Sequence, residues 1–240
     1  MRVRLRFSKV GKIRWTSHRD LARMWERGFR RVQLPLAYTQ GFSPRPKVSF
    51  GLALPTGAES VAEYLDIELA PGATVDVDSL PALLTPVLPA GVDVSAAAAI
   101  DDRADSLQHE VSSCSWRVEV VGAPADKMER LVADALAADS LVVSRERKGR
   151  LSEDDIRPGL LSVTVAPGDP VVLECELAAA PRALRPTELL RALSPDGSIE
   201  AASVRRTAQW ILRDGARSEP LPAPLDATDA PPAPSLERAS

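Results

Sequence analysis

Strict alternation in Arg2-Val3-Arg4-Leu5-Arg6-Phe7, helical spacing from Leu21 to Val32, and the return of the same order of strands and helices after residue 112 predict an α+β protein. The order in each half fits a ferredoxin-like βαββαβ sandwich, two helices on a four-stranded antiparallel sheet. The chain therefore reads as two such sandwiches in tandem. The expected boundaries are 1–104 for a basic first domain and 112–213 for a second, with 214–240 as a Pro/Ala-rich disordered tail.

The alternation at 2–7 is the period of a half-buried strand. Ser17 is a good N-cap, with Asp20 three residues on as a short capping box. Leu21, Met24, Trp25, Gly28, Phe29 and Val32 then line one face of a helix. Gly41, Pro44 and Pro46 mark a loop, after which Val48, Phe50, Leu52 and Leu54 alternate as a strand over 48–54. A strand at 63–69, a helix at 76–88 and a strand at 92–100 complete the first half. In the second half strands are expected at 115–121, 141–146, 159–166, 171–178 and 203–213, and helices at 125–138 and 186–193. A charged loop at 147–158 reads either as a second element gripping a nucleic-acid backbone or as a solvated hairpin connection.

Charge divides the chain. Its net charge is −3, yet residues 1–50 carry thirteen Lys/Arg against only Asp20 and Glu26, and the excess of acid lies in the rest. A basic half joined to an acidic half implies either a polyanionic partner for the first or attraction between the two. Aromatics make up 4% of the chain, so Leu, Val and Ala must fill most of the core. Cys114 and Cys175, both within apolar strand-like runs, read as buried free thiols in a reducing compartment. The first residues do not read as a signal peptide, and the apolar runs are too short to span a membrane, so a cytoplasmic protein is expected.

Arg19, Arg23, Arg27, Arg30 and Arg31 fall opposite the apolar stripe of the first helix, in a row about 18 Å long. Like charges at i,i+4 cost a few tenths of a kcal/mol each. A helix that accepts this repulsion points to an external anion, and guanidinium groups suit phosphate because they donate two parallel hydrogen bonds. The loop Gly41-Phe42-Ser43-Pro44-Arg45-Pro46-Lys47 presents Arg45 and Lys47 on a tip stiffened by two prolines. Arg4 and Arg6 are expected to pair across the sheet with Asp66 and Glu68 and are set aside as nucleic-acid contacts. His18, at the first helical position, reads either as a neutral base for metal-independent RNA cleavage or as a residue packing the helix start. Two histidines and no cysteine pair with ligand spacing leave no expected metal site, and no phosphate-cradle, nucleophile-elbow or dinucleotide motif points to a cofactor.

The run "SHRDLARMWERGFRRVQLPLAYTQGFSPRPKVSFGLALPTGAES…EYLDIEL" over 17–69, with "KGR…DIRP" at 148–158, resembles a bacterial family of radical SAM-linked proteins whose domain has no assigned function. Members are fused to, or encoded beside, a radical S-adenosylmethionine enzyme. The resemblance implies an accessory role, since two cysteines cannot supply a three-cysteine iron–sulfur ligand set. Arg45 stands where the family often has a histidine, a departure that weakens any two-histidine site. The leading expectation is an accessory protein that binds RNA, with tRNA or rRNA as candidates, through Arg19, Arg23, Arg27, Arg30, Arg31, Arg45 and Lys47, and presents it to a separate radical SAM enzyme. The alternatives are an endoribonuclease using His18 as general base, and a module that docks an acidic protein without RNA.

Overall fold

A computed structural model describes residues 1–147, 150–213 and 215–221. The elements run β1 (Arg2–Lys9), α1 (His18–Arg31), β2 (Val48–Phe50), β3 (Glu59–Glu68), α2 (Leu80–Leu84), β4 (Val94–Ile100), α3 (Leu107–Glu110), β5 (Val111–Val121) and α4 (Ala125–Ala137). They continue with β6 (Val142–Arg147), β7 (Arg150–Asp155), β8 (Leu160–Ala166), β9 (Val171–Ala178), α5 (Pro186–Leu193), β10 (Glu200–Arg213) and β11 (Ala216–Ser218). The result is a mixed α+β fold on one large, mostly antiparallel sheet, with β6 and β7 standing apart as a hairpin.

Along the sheet the order is β4-β1-β3-β10-β5-β9-β8, with β2 beside β3 and β11 beside β10. In the first half β4 lies beside β1 and β1 beside β3; in the second β10 lies beside β5 and β5 beside β9, the same order once the β6–β7 hairpin is set apart. The halves meet where the start of β3 pairs in parallel with β10, Glu59 opposite Arg205 and Ser60 opposite Arg206. Two apolar clusters sit under the helices. Val3, Leu5, Phe7, Leu65 and Ile67 of the first sheet half pack against Leu21, Trp25 and Phe29 of α1. Trp116, Val118, Leu173 and Leu177 of the second pack against Met128, Val132 and Leu189. Both cysteines are free and buried there, and burial pushes the Cys175 thiol up to about 12.

Local chemistry explains where the elements end. Ser17 caps α1 by accepting the Asp20 N–H at 3.2 Å, and its hydroxyl donates to the Asp20 carboxylate at 2.7 Å. The helix expected over 76–88 is α-helical only at Leu80–Leu84, followed by a 3-10 turn over Thr85–Val87, because Pro86 has no N–H to continue it. The strand expected over 48–54 stops at Phe50. Leu52 and Leu54 instead cross to the second apolar cluster, and the Leu52 carbonyl accepts from Arg206 at 2.9 Å. The expected charged loop at 147–158 is largely strand: β7 pairs with β6 through Asp155, and the tip at 148–149 lies outside the described residues.

The arginine face of β1 is buried, not outward. Arg4 donates to Asp66 at 2.8 Å as expected, and to Glu110 of α3, which covers this face. Arg6 does not pair with Glu68. The antiparallel register sets Arg6 opposite Tyr64 and Arg2 opposite Glu68, so Arg6 bonds the Tyr64 hydroxyl and Glu219. Glu219 belongs to the segment expected to open the disordered tail. There β11 pairs with β10, and Leu221 packs beside Tyr64 and Leu107. The expected tail over 222–240 lies outside the described residues.

Glu59 ties three parts of the molecule together. Its carboxylate accepts from Arg205 at 2.6 Å, from the Gly11 N–H at 2.8 Å and from Arg14 at 3.1 Å. Burial alone would raise its pKa, but the donors, led by Arg205, outweigh burial and lower it. Because the folded pKa is depressed, its stabilisation is present above the unfolded carboxylate value of about 4.3 and is lost as pH falls through the folded value. Urea midpoints measured from pH 7 downward should therefore decline below about pH 4.5, and Glu59→Gln should remove part of that decline. A Glu59→Gln profile parallel to the native one would refute this.

Candidate nucleic-acid interface

α1 carries its arginines on the face away from Leu21, Trp25, Gly28 and Phe29, which its packing buries. Gly28 permits that packing: a Cβ there would lie 3.1 Å from the Leu88 side chain. After the helix the chain turns at Gln33 and returns along β3, where Leu36 bridges to Leu69. Residues 37–47 then form a narrow loop. The Lys47 N–H donates to the Ala37 carbonyl, the Thr39 N–H to that of Arg45, and the Arg45 N–H to the Thr39 hydroxyl. The loop stands beside α1, and Phe42 is fully exposed at its tip.

Between helix and loop lies an open groove of about 470 Å³. Arg19, Arg23, Glu26 and Arg30 line it from α1, and Tyr38, Pro44, Arg45 and Pro46 from the loop, over a floor of Ala22, Phe29, Leu34 and Leu36. Four of the seven expected contact residues thus converge. Arg27 and Arg31 are exposed on the neighbouring, solvent side of the helix and do not line the groove. Lys47 also stays outside, its ammonium 2.6 Å from the Glu68 carboxylate.

The groove's positive charge is barely compensated. Arg23 lies 3.3 Å from Asp20 with both side chains exposed, a pair worth little. Arg30 donates through Nε to the Glu26 carbonyl at 3.2 Å. Among the described residues the Arg19 and Arg45 guanidinium groups have no partner, and neither has the partly buried Glu26 carboxylate. Nor do the described residues of the acidic second half line the groove. The junction pairs of that half run the opposite way, with Glu59 and Glu63 from the basic half holding Arg205 and Arg206 from the acidic half.

Residues 2–186 match the model of a family described as an uncharacterized protein conserved in bacteria, DUF2344. The chain belongs to that family. The groove and both its walls lie within the matched span of this DUF2344 member. No curated protein matches it in sequence. Among solved structures, a chain in the crystal structure of a Cbf5-Nop10-Gar1 complex is similar to it, with a TM-score of 0.47 and 11% identity. The similarity covers 86% of this chain and 48% of that one, so the DUF2344 chain spans about half the length of that relative. None of its described helices is long and apolar enough to cross a membrane.

His18 does not join the arginines. It is exposed at the start of α1, edge-on to Phe50 at 5.0 Å between ring centroids. The recess it lines with Lys9, Glu63 and Tyr64 is about 10 Å³, room for at most one water. Lys9 there is structural: it is buried, its ammonium donates to the Thr16 carbonyl at 2.9 Å, and burial lowers its pKa despite the charge of Glu63. Tyr38, Glu26 and the apolar floor are the groove residues the sequence reading missed. The signal available was Glu26 standing among five arginines with only Asp20 as a second acid, in the favoured i,i+4 order before Arg30.

Proposed function

We propose that this protein is a cytoplasmic accessory that binds RNA in the groove between α1 and the 37–47 loop and presents it to a separate radical S-adenosylmethionine modifying enzyme. The observation that carries the reading is the convergence of Arg19, Arg23, Arg30 and Arg45 on one groove, with no acid of the second half set against them among the described residues. Phosphate oxygens accept the paired donors of each guanidinium, and a bound polyanion relieves the repulsion along the helix. Arg27 and Arg31 extend the cationic surface beyond the groove. tRNA and rRNA are the candidate ligands, and the enzyme partner rests on the resemblance to radical SAM-linked proteins alone. The shared strand order supports reading 1–104 and 112–213 as tandem ferredoxin-like domains joined by one sheet.

The test is titration of the full chain with total cellular RNA over a salt series. Log affinity should fall linearly with log salt, with a slope of about −0.7 per phosphate contact on single strands, and so about −3 for four contacts. A chain that binds no RNA at low salt would overturn the reading and make the groove a dock for an acidic protein surface.

A further inference from the structure

Charge alone does not explain the shape of the groove. A face that only grips phosphates needs exposed cations and hydrogen-bond donors and no apolar floor between them. Here the cations rim an apolar floor of Ala22, Phe29, Leu34 and Leu36, and the opposite wall is Tyr38 with Pro44, Arg45 and Pro46, Tyr38 bridging to Pro46. Tyr38 is 49% exposed, and among the described residues its hydroxyl has no hydrogen-bonding partner. At about 470 Å³ the groove has the size of a small-ligand site, whereas a regular duplex keeps its bases stacked inside and offers nothing to enter it.

Glu26 supplies a second, independent observation. A carboxylate among Arg19, Arg23 and Arg30 weakens anion binding unless it has work of its own. It is placed to pair with Arg30 at i,i+4, yet Arg30 bonds its backbone carbonyl and the carboxylate stays free among the described residues. An unpaired carboxylate facing a base-sized slot is an acceptor for the exocyclic amino group of a base, as acidic side chains accept from cytosine N4.

We infer that the groove takes one unstacked nucleotide of a single-stranded RNA segment. Its base lies against Tyr38 over the apolar floor, Glu26 accepts from the base's amino group, and the flanking phosphates rest on Arg19, Arg23, Arg30 and Arg45. This deepens the RNA-binding reading and rests on it. Stacking against Tyr38 makes the site selective for single strands, and the amino-group contact disfavours uracil, which has no amino group.

Fluorescence anisotropy with the full chain and labelled oligonucleotides of about 12 residues tests it. The probes are an oligo(A), an oligo(C), an oligo(U) and a blunt duplex of mixed sequence. Single strands should bind about tenfold more tightly than the duplex, with oligo(A) and oligo(C) ahead of oligo(U). Tyr38→Ala should weaken single-strand binding about tenfold with an unchanged salt slope, and Tyr38→Phe should restore it. Glu26→Gln should narrow the gap between oligo(C) and oligo(U). Equal affinity for duplex and single strand, or a Tyr38→Ala variant that binds as the native chain does, would overturn the inference and leave the RNA reading standing. No binding to any of the four probes at low salt would overturn both.

Discussion

Arg206→Met is expected to lower the folding free energy by about 3–5 kcal/mol, a large share of the 5–15 typical of a folded domain. Arg206 is 1% exposed at the junction of the halves, and its guanidinium holds the Glu63 carboxylate at 2.8 and 3.0 Å. The same group donates to the Leu52 carbonyl and lies 5.2 Å over the Trp116 ring. Removing it leaves a buried carboxylate beside Lys9, and Lys9 is already committed to the carbonyls of Thr16 and Arg14. The loss comes from the stranded charge more than from the bond itself. Arg206→Met combined with Glu63→Leu should therefore recover most of it, because no charge is then left unpaired. Urea unfolding of the two single variants and the double closes the cycle. A single variant costing less than about 1 kcal/mol would mean that water reaches the junction and the pair is not buried in solution.

That junction also marks what the sequence made legible and what it hid. Alternation and helical spacing located most of the elements (though not α3, β7 or β11) and the cap at Ser17, because those signals come from neighbours within a few residues. The Arg4–Asp66 pair was legible for the same reason: a register and a period of two suffice to set opposite residues together. Contacts fixed by tertiary closure left no such trace. Nothing local tells Leu52 and Leu54 to leave their strand for the other core, or Glu219 to return to Arg6. Face assignment failed where a late element covers an early one. The arginines of β1 look outward until α3 and residues 219–221 close over them. The groove was half legible. Its arginines follow from the helix face, whereas Tyr38 and the floor depend on how the 37–47 loop stands beside α1.

Replacing Arg19, Arg23, Arg30 and Arg45 together by Ala is expected to cost about two to three orders of magnitude in RNA affinity at about 0.1 M salt, since each lost phosphate contact removes about 0.7 from the salt slope. Stability should move little. All four side chains are exposed, and removing the Arg19/Arg23 repulsion gains a few tenths of a kcal/mol, which offsets the weak Asp20–Arg23 pair. A loss of affinity without a loss of stability separates a ligand-binding role from a structural one. The remaining expected contacts supply the internal control. Lys47→Ala should barely change binding, because its ammonium already neutralises Glu68. Arg27→Ala with Arg31→Ala removes charge from the outer face of α1, and should lower affinity less than any two of the groove arginines. If that outer pair matters as much as the groove pairs, RNA lies along the helix and not between helix and loop. The salt slope would then be shared by all five arginines of α1, and Arg45→Ala alone would leave it unchanged.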